Sequence, residues 1–522
     1  MTDTLNQAPE GESRETAAHT RSLVDRLWSY CDVLRDAGVP AIDYVEQLTY
    51  LLFLKMMDEQ EKKNARRGKP HRVLPLGIDW DTLAGKKGED LKEYYEHVLE
   101  VLGERPGMFR LIFLGAQNKI QATGLLERLI KDLIGKIQWS KEGVDVKGDA
   151  YEELLARSAS DVKSGAGQYF TPRPLIRAMV DCVRPTPEDT IVDPACGTGG
   201  FLLAANEYLR REYPAESLDP DLRNRLSRGH AFHGIELVRS TARLAAMNML
   251  THGVVPSENQ EVIEVGDALL AEPKVRASVV LANPPFGQKS AITVIGDDKK
   301  AVKDEAVYAS RDFWVTTKNK QLNFLQHIAK LLKIDGRAAV VLPDNVLFEG
   351  GAGETIRRRL LKEYDVHTLL RLPTGIFYAG GVKANVLFFE RRRPSETPWT
   401  SQLWVYDFRT GENFTLKQRP LRREHLQDFV DSYLPGKPHD ERVATDRFRP
   451  FTYEELIARE KVNLDISWPR DGSGGETAPR TPEEIAHSIA ADLRAALTQI
   501  EAIAAALGHG AEGEQPPFAE SS

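Results

Sequence analysis

Apolar residues recur at steps of three and four through the first quarter of the 522-residue chain and give way to short apolar runs beyond it. Leu23, Leu27, Cys31 and Leu34 mark one face of a helix that Gly38 and Pro40 end, and Ile42, Val45, Leu48, Leu52 and Met56 mark the next. Residues 20–150 read as an N-terminal helical domain, behind a polar stretch, 1–19, that reads as disordered. From 151 to 395 strand and helix alternate. Thr190-Ile191-Val192, Ser278 to Ala282 and Arg337 to Pro343 read as buried strands, with a helical run from Phe324 to Leu332 before the last. That alternation predicts an α/β fold built on a doubly wound sheet. The polar stretch from Gln288 to Lys320 interrupts it and reads as a mobile segment.

Residues 396–467 read as a C-terminal extension of the core, and 468–480, with Asp471-Gly472-Ser473-Gly474-Gly475, as a flexible linker. A helix start follows at Thr481-Pro482-Glu483-Glu484: Thr as N-cap, Pro in the first turn, Glu three places on. Ile485, Ile489, Leu493, Leu497, Ile500, Ile503 and Leu507 then form a stripe along a helical tail, 481–522. A single helix beyond a linker has no core of its own for that stripe. It either folds back on the helical domain or docks on another chain, and docking is the favoured reading.

Chemistry enters at two loops. Asp193-Pro194-Ala195-Cys196-Gly197-Thr198-Gly199-Gly200-Phe201 follows the first strand and leads into Phe201 to Ala205, of helical composition. Glycine in such a turn permits positive φ and lets a ligand reach the backbone, while the first N–H groups of the helix face the turn. A dinucleotide site shares this construction. Here, however, position 202 is Leu where that pattern has its third glycine, and the next strand-end acid, Glu236, comes about 40 positions after Gly197 instead of ~20. Cys196 reads as a small buried thiol, not a nucleophile.

The second loop, Asn283-Pro284-Pro285-Phe286, follows the 278–282 strand. An exocyclic amine on a nucleobase is a poor nucleophile because its lone pair is delocalised into the ring. Two acceptors aimed at its hydrogens draw the nitrogen toward tetrahedral geometry; the Asn283 side-chain carbonyl and the Pro284 main-chain carbonyl are such a pair. Tandem prolines fix φ at 284 and 285, and Phe286 offers a flat face for a flipped base. Alone, the string is also a proline turn. Its place after a strand downstream of the Gly-rich loop puts it at the carboxyl end of the sheet, beside that loop.

Together these strings resemble the cofactor and catalytic loops of amino-group methyltransferases that use S-adenosylmethionine, and Phe in the fourth place resembles the DNA adenine-N6 branch. The resemblance implies that Gln168, Tyr169, Phe170, Thr171, Pro172 and Arg173 pack over the methionine part of the cofactor, with Asp193 near its cationic end. Ala195, Gly197, Thr198, Gly199 and Gly200 form the loop beneath it, Glu236 takes the ribose hydroxyls and Asp267 the adenine amino group. Asn283, Pro284, Pro285 and Phe286 are the implied catalytic residues.

Composition then qualifies the picture. A chain of this length suggests two or three domains. Three cysteines, Cys31, Cys182 and Cys196, show no metal spacing and no disulfide framework, so no metal is expected and a reducing cytoplasm is. The first residues lack a signal-peptide core and Leu51 to Met57 is too short to span a bilayer, so a soluble protein away from the membrane is expected. A formal net charge of -8 is unusual for a self-sufficient DNA enzyme. Basic clusters around Lys62, at Arg357-Arg358-Arg359 and at Arg391-Arg392-Arg393 read as solvated faces. Sequence reading therefore falls to a partner.

The run from Arg337 to Phe389, with Leu342 to Gly351, Arg371-Leu372-Pro373-Thr374-Gly375-Ile376-Phe377 and Gly381 to Phe389, resembles the modification subunit of type I restriction-modification systems, as does the order helical domain, methyltransferase core, helical tail. That resemblance implies a Rossmann-like methyltransferase core, adenine-N6 methylation of double-stranded DNA, a DNA-specificity subunit, a second copy of the modification subunit and a restriction subunit. Two other readings stay open: a stand-alone amino methyltransferase acting on DNA or protein glutamine, and an idle scaffold, against which intact Asn283 and Phe286 speak.

Overall fold

The computed structural model describes residues 22, 25, 28–29, 41–66, 74–137, 171–256, 260–270, 275–286, 291–295, 301–305, 313–377, 383–409, 414–415 and 419–468. The expected disordered start, the 469–480 part of the linker, the 481–522 tail helix, the first helical stripe (Leu23, Leu27, Cys31 and Leu34) and Gln168 to Phe170 lie outside them. Among the described residues no helix is long and apolar enough to cross a membrane.

The strands are β1 (Ile191–Asp193), β2 (Phe232–Glu236), β3 (Ile263–Val265), β4 (Ala277–Ala282), β5 (Ala291–Ile295), β6 (Ala301–Glu305), β7 (Leu332–Pro343), β8 (Tyr364–Arg371), β9 (Ala384–Arg391), β10 (Gln402–Asp407) and β11 (Phe448–Thr452). Nine of them form one sheet in the order β11-β10-β8-β9-β7-β4-β1-β2-β3. β3, β2, β1, β4 and β7 run parallel, β9 runs antiparallel between β7 and β8, and β10 and β11 extend that edge with residues 402–452. From β1 the chain winds outward to β2 and β3, then returns to place β4 on the other flank of β1. The order reverses there, so the loops after β1 and β4 part and leave a crevice at the carboxyl ends of the strands.

The central strands carry unbroken apolar runs, Ile191–Val192, Val279–Ala282 and Ala338–Leu342, because both faces are covered there, and their period of two sends alternate residues into different cores. Ile191, Val279, Leu281, Ala339 and Val341 join the core under the Arg173–Val183, Gly200–Glu212 and Arg239–Thr251 helices. Val192, Val280, Ala282, Ala338, Val340 and Leu342 join the one under the Lys320–Leu331 and Ala352–Glu363 helices.

The first of these cores continues into the N-terminal helices Ala41–Arg66, Gly88–Glu104, Met108–Phe113 and Thr123–Arg128. The first of them is buried on nearly all sides from Gln47 to Asp58, more than a single stripe implies, because helices pack on it from several directions. Arg243, on the 239–251 helix, locks the two parts together. Its Nη1 reaches Glu46 and the Tyr50 hydroxyl, and its Nη2 donates to the Leu114 carbonyl at 3.0 Å.

Two expectations change. Within the polar 288–320 stretch, read from sequence as a mobile segment with no strand assigned, β5 and β6 pair antiparallel from Ala291 with Glu305 to Ile295 with Ala301. Ile292, Thr293, Val294 and Ile295 are β-branched, a local strand signal that the polar surroundings hid. The Arg357–Arg359 cluster is not a solvated face throughout. Arg357 is buried and donates to the carbonyls of Val346, Glu349, Lys461 and Val462, whereas Arg358 and Arg359 pair with Glu354 and Glu363 along their own helix.

Gly234, mid-strand in β2, is required for closeness. A Cβ there would meet Ile263 Cδ1 at 2.8 Å, Cys196 Sγ at 2.9 Å and Leu202 Cδ1 at 3.0 Å, all packed around the Gly-rich loop. Gly234→Ala is expected to lower stability by about 1–3 kcal/mol through overpacking, as denaturant melts of the two proteins would measure.

Candidate functional site

β1 ends at Asp193 and the chain turns at once through Gly197 and Gly199, at φ +54 and +85, into the Gly200–Glu212 helix. Both glycines use the left-handed region that a side chain would strain. A Cβ at Gly197 would meet nothing within 4 Å, so this turn stands open on its outer side, whereas one at Gly199 would meet Ala245 Cβ at 3.6 Å. The loop is stitched to its surroundings from three directions. Cys196 N–H donates to the Ile235 carbonyl at 3.0 Å, Asn248 Nδ2 donates to the Thr198 carbonyl at 3.0 Å, and Arg173 Nη1 donates to the Gly200 carbonyl at 3.2 Å.

Two carboxyls face this loop. Glu236, at the end of β2, accepts from Gly197 N–H at 3.0 Å through one oxygen and from Val238 N–H at 2.9 Å through the other. Asp193 is fully buried and accepts from Ala195 N–H at 3.0 Å. Burial pushes the Asp193 carboxyl up to about 8, against the help of that hydrogen bond, and the neighbouring Glu236 charge adds to the shift. Burial also raises Glu236, opposed by its backbone hydrogen bonds. Cys196 is buried and its thiol is pushed up by desolvation, which fits a packing role and not a nucleophile.

Asp267 follows β3 and accepts from Leu269 N–H at 3.0 Å. Leu237, Val238 and Leu270, next to the two strand-end acids, are large apolar side chains left more than half exposed. Sequence reasoning passed over them because their exposure, not their identity, is the signal.

The loop after β4 holds Asn283 at 7 % exposure. Its Nδ2 donates to Thr171 Oγ1 at 2.8 Å, while its Oδ1, also buried, has no hydrogen-bond partner among the described residues. Pro284 is buried, and Pro285 and Phe286 are half-buried. The Phe286 ring meets Phe377 edge-on, with centroids 5.7 Å apart and planes at 80°. The Phe286 carbonyl accepts from Gln321 Nε2. Thr171 and Pro172, expected beside a ligand, thus stand where the Arg173–Val183 helix begins, with the Thr171 hydroxyl spent on Asn283.

The structure therefore brings Thr171, Pro172, Arg173, Asp193, Ala195, Gly197, Thr198, Gly199, Gly200, Glu236 and Asp267 to the same end of the sheet as Asn283, Pro284, Pro285 and Phe286. The residue set fits a cationic, hydroxyl-bearing ligand: an open glycine turn, a buried carboxyl whose charge is unfavourable as it stands, and an acid aimed across the turn.

A buried carboxyl of raised pKa makes stability fall as pH rises. Between the ordinary Asp value near 4 and its folded value of about 8, the folded Asp193 holds a proton that the unfolded chain has lost. The cofactor-free protein should lose up to about 1.4 kcal/mol per pH unit from this group across that window. Thermal melts from pH 5.5 to 8.5 should show a steeper decline for wild type than for Asp193→Asn.

Comparison with known proteins agrees with this geometry. The N-6 DNA Methylase family matches residues 142–473, and the HsdM N-terminal domain matches residues 23–135. The StySJI type I restriction enzyme methylase subunit of Salmonella typhimurium is 36% identical over 95% of this chain and 97% of its own length. The EcoKI methylase subunit of Escherichia coli is likewise 36% identical over 95% of this chain and 97% of its own. Among solved structures, the EcoKI M protein is 33% identical, covers 93% of this chain and 96% of its own, and superposes with a TM-score of 0.51. A chain solved in work on assembly and conformational transition of the type I system is 28% identical, covers 94% of this chain and 98% of its own, and has a TM-score of 0.66. By sequence along nearly its whole length, the chain belongs to the N-6 DNA methylases and, among them, to the methylase subunits of type I restriction enzymes.

Proposed function

We propose that the chain is the methylating subunit of a cytoplasmic type I restriction-modification complex, modifying the N6 amine of adenine in double-stranded DNA. When bound, S-adenosylmethionine supplies an electrophilic methyl group on a cationic sulfonium. The observation that carries the residue roles is the Asn283 amide: buried, held by its nitrogen to Thr171, its oxygen left without a partner. An orphaned buried acceptor is costly, and it is what a site for an amine donor requires. In this reading Asn283 Oδ1 and the Pro284 carbonyl accept the two amine hydrogens and localise the nitrogen lone pair. Phe286 stacks on the flipped base, and Phe377, edge-on behind it, holds the ring. The N–C bond would form as the sulfonium S–C bond breaks to leave a neutral thioether, and one amine hydrogen would then leave as a proton to solvent.

For the cofactor, Gly197 to Gly200 would receive the methionine end beside Asp193, whose ionisation the positive charge favours. Glu236 would take the ribose hydroxyls. Leu237, Val238 and Leu270 would enclose the adenine, with Asp267 at its amino group. The segment 168–173 would close over the methionine part. The partners in this reading are a DNA-specificity subunit, a second modification subunit and a restriction subunit. The net charge of -8 supports delegated sequence reading, because a chain that bound DNA alone would need a dominant phosphate-neutralising surface.

Asn283→Ala, assayed within the complex, should lower methyl transfer by about 100-fold or more, as loss of one preorganised polar group at a reacting centre does, with S-adenosylmethionine affinity by calorimetry unchanged. Transfer at the wild-type rate would overturn the mechanism. The purified lone chain should show little site-specific methylation until a specificity subunit is added. Radiolabelled methyl transfer to a duplex bearing the host's modified site reads this, and specific methylation by the chain alone would refute delegation.

A further inference from the structure

Behind the Asn283–Phe286 loop lies a chain of amides that the reaction as described does not use. Asn319 caps the Lys320–Leu331 helix: its Oδ1 accepts from Gln321 N–H at 3.0 Å and Leu322 N–H at 3.3 Å, while its Nδ2 donates to Glu349 Oε2 at 2.8 Å. Asn345 lies in the Asp344–Phe348 helix, which begins where β7 ends. Its Nδ2 donates to Gln321 Oε1 at 2.9 Å and more weakly to the same Glu349 oxygen at 3.4 Å. Gln321 is 2% exposed, and its Nε2 donates to the main-chain carbonyl of Phe286.

An amide can point either way, and the network decides which. Glu349, as a carboxylate, only accepts, so Asn319 and Asn345 must both turn their NH₂ groups toward it. With its NH₂ so placed, Asn345 meets the oxygen of Gln321, and the remaining NH₂ of Gln321 is aimed at the Phe286 carbonyl. Glu349, just past the end of the helix that carries Asn345, and the Phe286 carbonyl both only accept, so between them they set the direction of every amide up to the loop that presents Asn283 and Phe286. Buried networks of this kind rigidify what they hold when every member is satisfied.

We infer that Gln321, oriented by Asn345 and Glu349, is a positioning residue for methyl transfer: it fixes the Phe286 carbonyl and so the pose of the ring against the captured adenine. This rests on the proposed role of Phe286. Gln321 touches neither substrate nor cofactor in this scheme, and its effect falls on turnover and base capture, not on cofactor affinity. A displacement on the order of 1 Å at a reacting centre can cost about 100-fold in rate.

The test uses the full chain in its complex, with a duplex carrying 2-aminopurine in place of the target adenine to report capture. It is run beside wild type, Asn283→Ala and three variants of the relay. Gln321→Leu removes the donor and is expected to lower kcat 10- to 100-fold (about 1.4 kcal/mol per tenfold) at every pH, with unchanged cofactor Kd. Gln321→Glu sets an acceptor against the Phe286 carbonyl at neutral pH, but once protonated it donates again. Its kcat relative to wild type should therefore recover as pH falls, which a packing role would not produce. Asn345→Ala, at a half-buried position, removes the donor that holds Gln321 Oε1 without adding a charge beside Glu349, and should lower capture in the same direction with a melting temperature close to wild type. It decides the matter if the Gln321 variants do not fold. Wild-type kcat and capture in the folded variants, or a Gln321→Glu profile parallel to wild type, would overturn the positioning role. Absence of methylation by the wild-type complex would instead overturn the function on which it rests.

Discussion

A side-chain amide has two ends, and the active-site reading depends on the fact that only one end of Asn283 is satisfied. The hydrogen bond from its Nδ2 to Thr171 anchors the amide at one end, and with the nitrogen turned to that hydroxyl the carbonyl oxygen faces away from it before any base arrives. Thr171 can do this because it stands at the entrance to the Arg173–Val183 helix, and that helix packs on the same sheet face as the one that follows the Gly-rich loop. Cofactor side and catalytic side are thereby set by one sheet and one contact between neighbouring segments.

Charge follows the same logic of burial. Asp193 pays a desolvation cost in the free protein, and the cost becomes useful when a cation takes the place beside it. Elsewhere buried charge is structural: Arg371, wholly enclosed, bonds Asn385 and pairs with Asp465, and Arg357 gathers four backbone carbonyls. These arginines tie the sheet to the segments beside it, whereas among the described residues the buried acid at β1 accepts only from the Ala195 N–H.

Much of this was legible in the sequence because strands buried on both faces read as unbroken apolar runs, and because a glycine turn and a double proline leave marks that survive without tertiary context. β1, β4 and β7 sit where Thr190 to Val192, Ser278 to Ala282 and Arg337 to Pro343 place them. The misses have a common cause. Arg357 was read from its neighbours Arg358 and Arg359, but a helix turns 100° per residue and sends adjacent arginines into different environments. Gln321, Asn345 and Glu349 are ordinary polar residues until folding brings the start of one helix and the 345–349 segment together behind the Phe286 loop, and the Thr171 hydroxyl makes its contact 112 positions away.

The 239–251 helix carries Arg243 toward Glu46 and Tyr50 on one side and Ala245 and Asn248 against the Gly-rich loop on another, within little more than one turn. The N-terminal helices and the cofactor loop consequently share a supporting beam. For the history of such chains this limits shuffling: an exchange of N-terminal halves between diverged relatives succeeds only if the incoming half brings an acid and a hydroxyl to meet that arginine. A mismatched exchange would strain the helix that also backs the Gly-rich loop, so its effect would reach beyond the joint itself.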